Sequence, residues 1–117
     1  MEATLPTQPN IHEFELEIET KSGEKREYKY KFNGGDEKTK VELRATDGHK
    51  SKSRGEDALR ECKRLMDRLG PLREISPDET VERACSCLEM REEQIRKLEV
   101  EIKYGDGTEV EVEITVR

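Results

Sequence analysis

Apolar and polar residues alternate near the C-terminus. Leu98, Val100, Ile102 and Tyr104 are interleaved with Glu99, Glu101 and Lys103, and Val110, Val112, Ile114 and Val116 with Glu111, Glu113 and Thr115. Gly105-Asp106-Gly107 separates the two runs. Period-two alternation around a Gly-Asp-Gly turn predicts a β-hairpin. The same pattern stands near the N-terminus, where Phe14, Leu16 and Ile18 are followed by Ser22-Gly23 and then by Tyr28, Tyr30 and Phe32. Aligned on the turn glycines, Phe14 falls on Leu98, Ile18 on Ile102, Tyr28 on Val112 and Phe32 on Val116. Two similar hairpins therefore bracket the chain, and the segment between them has to cover an apolar sheet face.

The remaining elements follow from the same patterning. Residues 1–11, with Pro6 and Pro9 and little hydrophobicity, read as a flexible tail, and residues 12–117 as a single domain. Strands are predicted over Glu13–Thr20, Lys25–Asn33 and Lys40–Ala45, the last with Val41, Leu43 and Ala45 on one face. The polar run His49 to Gly55 reads as a loop or a ragged edge. Ala58, Leu59, Cys62, Leu65, Met66 and Leu69 recur at three- and four-residue spacing, which predicts a helix over Glu56–Leu69 ended by Gly70-Pro71. Ser76-Pro77-Asp78-Glu79 starts a second helix: serine caps, proline takes the first helical position, and Glu79 closes a capping box. Its buried stripe is Val81, Ala84, Cys85 and Leu88. The helix is expected to break near Met90, because the next strand must be extended from about Lys97. The order β-β-β-α-α-β-β predicts an α+β fold, a five-stranded, mainly antiparallel sheet with two helices on one face.

Composition sharpens this picture. Charged residues make up 43% of the 117-residue chain, hydrophobic ones 31%, and tryptophan is absent. Those values border on the disordered range. Patterning overrides them, because much of the charge occupies alternate strand positions, the solvated half of an amphipathic sheet. A formal charge of −6 argues against nucleic acid, which requires a basic face, and suits a cationic partner. No apolar run is long enough to span a membrane. The start, Met1 to Pro6, lacks a basic end followed by an apolar stretch, so as written the chain reads as cytoplasmic; a trimmed leader would make it extracytoplasmic or lipid-anchored.

The most distinctive candidate site is a set of outward glutamates. If the hairpins are neighbours in the sheet, Glu15, Glu17, Glu99, Glu101, Glu111 and Glu113 form an acidic plate able to take a cationic peptide, a basic protein surface or loosely held cations. A flat strand face presents few convergent oxygens for calcium, and charged strand exteriors are ordinarily just solvated. Cys62, Cys85 and Cys87 follow neither disulfide nor zinc spacing. Cys62 and Cys85 read as buried between the helices, and Cys87 as an exposed thiol off the stripe. His12 and His49 lie far apart in a tail and a loop. The basic run His49 to Arg54 has no aromatic residue for base stacking, and Asp106-Gly107 lacks calcium-loop spacing. No catalytic, metal or cofactor constellation is signalled.

Phe14-Glu15-Leu16-Glu17-Ile18 with Tyr28-x-Tyr30-x-Phe32, a central helix from Gly55-Glu56-Asp57-Ala58-Leu59, and a closing Leu98-Glu99-Val100-Glu101-Ile102 strand with Asp106-Gly107-Thr108-Glu109 resemble the YusW-like domain family of Bacillus-type bacteria. The resemblance covers about residues 12 to 114. It implies a small bacterial domain of uncharacterised function, often exported or lipid-anchored, and it supplies no catalytic residue.

These readings converge on a non-catalytic protein- or peptide-interaction module, monomeric or weakly dimeric, acting through a sheet edge or the acidic face. Two alternatives stand beside it. One is an idealised or engineered scaffold without activity, opposed by three cysteines, Gly34-Gly35 and the polar loop. The other is a small-ligand or cation binder at the acidic face.

Overall fold

The computed structural model describes residues 11–33, 35–70 and 75–115. The expected tail, the connection after Pro71 and the expected inward position of Val116 lie outside the described residues. Along the chain come β1 (Ile11–Thr20), β2 (Lys25–Asn33), β3 (Asp36–Arg44), β4 (Lys50–Arg54), α1 (Glu56–Leu69), α2 (Pro77–Leu88), a 3-10 turn (Glu92–Gln94), β5 (Ile95–Tyr104) and β6 (Glu109–Thr115). The strands form one sheet in the order β4-β3-β2-β1-β5-β6, every neighbouring pair antiparallel.

The α+β class, the antiparallel sheet and the two helices match expectation, but the sheet has six strands rather than five. The extra strand is β4, inside the run read as a loop or a ragged edge. Lys50, Ser51 and Lys52 are exposed, so β4 carries no hydrophobic alternation to read. Backbone pairing with β3 defines it instead, from Lys40 opposite Arg54 to Arg44 opposite Lys50. A short, lysine-rich rim of this kind blunts edge-to-edge association. Three boundaries also move. β1 begins at Ile11, which takes His12 out of the tail and sets its ring 5.7 Å from that of Phe32. β3 begins at Asp36, paired with Asn33, and β5 begins at Ile95. Ala45 falls just outside β3 and is exposed, and Leu43 is 37% exposed.

The two hairpins meet through β1 and β5. Phe14 lies opposite Ile102, Leu16 opposite Val100 and Ile18 opposite Leu98, and none of these six side chains is more than 1% exposed. Burying each contributes about 1.5–3 kcal/mol, so this block is the heart of the core. The sequence repeat becomes a local pseudo-two-fold axis. Phe14 corresponds to Leu98 and Ile18 to Ile102, so the pair Phe14/Ile102 exchanges with Leu98/Ile18 about Leu16/Val100. The turns match as well. Thr20 N–H donates to Glu24 O at 2.8 Å and Gly23 N–H to Thr20 O at 3.0 Å; Tyr104 N–H donates to Thr108 O at 2.8 Å and Gly107 N–H to Tyr104 O at 3.0 Å. Gly23 (φ 98°) and Gly107 (φ 89°) adopt the left-handed conformation that this turn requires.

The helices cover the apolar face, α1 mainly over β3, β4 and β2, with α2 packed on α1. Ser76 Oγ accepts from Glu79 N–H at 3.1 Å. The Glu79 carboxylate does not complete the box; it accepts from Arg83 at 2.8 Å, and the other arm of Arg83 donates to Leu69 O at the end of α1. Glu89, at φ 57°, ends α2 just before Met90, as expected. Cys87 is not an exposed thiol: it is 6% exposed. Thr80, Ala84 and Cys87 form a second buried stripe because α2 is enclosed on two sides, and the arginines of α1 face Cys87. Cys62 points at the sheet, its thiol donating to Lys29 O at 3.5 Å. Burial pushes the thiols of Cys62 and Cys85 up to about 11.

Candidate functional site

Because β1 and β5 are neighbours, all six glutamates singled out from the sequence come together on the outer face of the sheet. Glu15, Glu101 and Glu111 form one row across β1, β5 and β6, and Glu17, Glu99 and Glu113 form the next. Each strand contributes through the same rule: alternate residues point to opposite faces, so the partners of the buried Leu16, Val100 and Val112 point to solvent. Glu27 of β2 extends the second row beside Glu17. A shallow hollow of about 130 Å³ lies among these side chains, with Leu16 and Val100 at its floor.

Register places like charges at their closest. Tyr104 bonds across to Thr108, and hydrogen-bonded and non-bonded pairs alternate along an antiparallel ladder. Ile102/Val110, Val100/Val112 and Leu98/Ile114 are therefore the bonded pairs. Glu101/Glu111 and Glu99/Glu113 occupy the non-bonded positions, where Cα atoms approach to about 4.5 Å. Burial, then a hydrogen bond that the protonated Glu101 carboxyl donates to Glu111, then the neighbouring negative charges raise the pKa of Glu101 above the usual carboxylate range, with Lys103 opposing.

Lysines surround this block without neutralising its centre. Lys103 reaches Glu13 at 3.4 Å and Glu109 at 3.9 Å, Lys97 reaches Glu99 at 3.2 Å, and Lys25 reaches Glu17 at 3.4 Å. Lys29 turns to Glu27 at 3.0 Å, although it lies opposite Glu15. Among the described residues, Glu15, Glu101, Glu111 and Glu113 have no lysine or arginine nitrogen within 4.0 Å. The far side of the same face is basic, with Lys38 and Lys40 on β3 and Lys50, Lys52 and Arg54 on β4. The sequence reading missed that polarity, whose signal was the Lys-x-Lys-x-Arg spacing at residues 50–54.

Among the described residues no group of three or more His, Cys, Asp or Glu side chains is arranged to hold a metal ion. His12 lies on β1, and His49 lies in the turn between β3 and β4. Among the described residues no helix is long and apolar enough to cross a membrane.

Fold and face together define a small α+β domain with a helix-covered apolar sheet face and a charge-divided bare one. The model of the family described as YusW-like protein matches residues 12–106, and the chain belongs to that family. No curated protein and no solved structure matches it.

Proposed function

We propose that this domain is a non-catalytic interaction module that holds a basic protein or peptide segment against the outer face of β1, β5 and β6. One observation carries the reading. Glutamate stands opposite glutamate at four successive cross-strand positions, Glu15/Glu101, Glu17/Glu99, Glu99/Glu113 and Glu101/Glu111. Elsewhere the sheet places lysine opposite glutamate at Glu13/Lys31 and Glu19/Lys97, and like charges meet again at Glu17/Glu27, Glu27/Glu42, Lys29/Lys40 and Lys31/Lys38. Like charges directly opposed destabilise a sheet. A cationic partner offsets that cost, and residues that serve binding at the expense of stability are a common mark of functional surfaces. A peptide suits the face better than a metal ion, because carboxylates spread along flat strands do not converge on one point.

The test is calorimetric titration of the full chain with a lysine-rich peptide at low salt. Binding is expected to weaken as salt is raised and to be lost in the variant E15Q/E101Q/E111Q. Unchanged binding in that folded variant, or no binding of any cationic peptide by the wild type, overturns the proposal.

A further inference from the structure

The sheet has two rims, and they are built differently. β4 is five residues long, polar on both faces and lysine-bearing. β6 is seven residues long and contains no lysine or proline; Val112 is buried, while Val110 and Ile114 are half-buried. Among the described residues β6 pairs only with β5. The ladder alternation sends the N–H and C=O groups of Val110, Val112 and Ile114 toward β5. The backbone groups of Glu109, Glu111 and Glu113 therefore point away from the sheet, along an unpaired edge.

The internal two-fold shows what such an edge accepts. β6 corresponds to β2, and the free side of β6 corresponds to the side of β2 that β3 occupies. β3 lays Lys38, Lys40, Glu42 and Arg44 along the outer face, Glu42 opposite Glu27, and alternates them with Thr39, Val41 and Leu43 on the inner one. Where β2 has Lys25 and Lys29, β6 has Glu109 and Glu113 at the corresponding positions, so the vacant lane is more acidic than its counterpart. Its inner side offers the half-buried Val110 and Ile114.

Resting on the reading of this face as an interaction surface, we infer that β6 receives an extended segment of a partner protein, added antiparallel as a seventh strand. In that segment Lys or Arg alternates with aliphatic residues. The basic residues stand across from Glu109, Glu111 and Glu113, and the aliphatic ones extend the apolar face beside Val110, Val112 and Ile114. Main-chain hydrogen bonds hold the segment in place, and alternate side chains select it. A second copy of this chain fits less well. Its β4 supplies Lys50, Lys52 and Arg54 on the outer face, but Ser51 and Ser53 on the inner one. Residues 1–10 contain no lysine or arginine and lack the complementary charge.

The experiment uses the full chain and a fluorescent peptide, Thr-Lys-Val-Lys-Val-Lys-Leu-Lys, beside a scrambled peptide in which basic and aliphatic residues no longer alternate. Glu111→Pro removes an N–H that points outward and serves no pair within the sheet. E111K/E113K leaves the backbone intact and gives β6 a lysine guard like that of β4. Both variants are first shown to be folded by circular dichroism, and the lysine variant decides if the proline variant unfolds. The alternating peptide is expected to bind at least about tenfold more tightly than the scrambled one, and each folded variant to lose about tenfold or more. Equal binding of the two peptides, or loss in E15Q/E101Q/E111Q but not in Glu111→Pro, places the segment across the face; the interaction module then stands and strand addition falls. Binding of neither peptide removes both. Salt-sensitive self-association of the chain alone, abolished by Lys52→Glu, assigns the edge to a second copy and overturns the inference.

Discussion

Glu101 and Glu111 face each other across β5 and β6 at a close, non-bonded ladder position, within reach for a proton on one to be accepted by the other. With Glu15 on the opposite flank, Glu101 is the middle of three carboxylates in a row. The sheet supports the row because Leu98, Val100 and Ile102 beneath it are buried almost completely. A one-residue slip that relieved the charge would turn those side chains to water. Hydrophobic register wins over electrostatic repulsion, since each buried side chain outweighs the few tenths to 1 kcal/mol of a cross-strand charge pair.

That relationship gives a pH-dependent outcome. The Glu101 pKa is raised in the folded chain, so its contribution to stability is fully present below the unfolded value of about 4.3 and is lost as pH rises through the folded value. Glu101→Gln should therefore stabilise the domain at pH 7 by about 0.5 kcal/mol, and the gain should fade as pH drops through the glutamate range. Urea unfolding at several pH values measures this. A loss of stability at pH 7, or a gain that persists at pH 3, contradicts it.

The thiols give a second outcome. Cys62, Cys85 and Cys87 are all buried and their pKa values are raised, chiefly by burial. Thiolate is the reactive form. A disulfide reagent at pH 8 should label none of the three within minutes on the native chain, and all three in denaturant. Rapid labelling of Cys85 or Cys87 in the native state would show that the two-sided enclosure of α2 is wrong.

A third outcome concerns the joint between the helices. Arg83 ties Glu79 to the last carbonyl of α1, and a Cβ on Gly70 would lie 2.5 Å from its Nη1. Arg83→Ala should cost about 1.5–3 kcal/mol, the range for a hydrogen bond to a charged group. Arg83→Lys should recover only part, because an ammonium cannot make the forked contact. Gly70→Ala should be destabilising as well, since φ is 73° there. Full recovery by lysine in thermal unfolding would argue against the fork.

Most of the fold was legible because burial wrote it into alternation. Phe14 to Phe32 and Leu98 to Ile114 each present one apolar face, with glycines where the turns require them. α1 and α2 were legible from stripe spacing, from Gly70 and from the Ser76-Pro77 start. β4 was not, since an edge strand needs only backbone partners and Ser51 and Lys52 bury nothing. Cys87 was misread because one stripe was assumed where packing on two sides buries two. The six glutamates were legible as a group only on the condition that the hairpins touch. That condition depends on the long-range β1–β5 pairing, which leaves no local mark on the sequence.

The most direct measurement follows unfolding of the wild type and E15Q/E101Q/E111Q by urea at pH 7, at about 10 mM and about 200 mM sodium chloride, where the screening length falls to roughly 10 Å or less. If the carboxylates of β1, β5 and β6 are held together against their repulsion, the variant is the more stable protein at low salt, and its advantage shrinks at high salt. A variant less stable than the wild type, or an advantage indifferent to salt, would contradict the account.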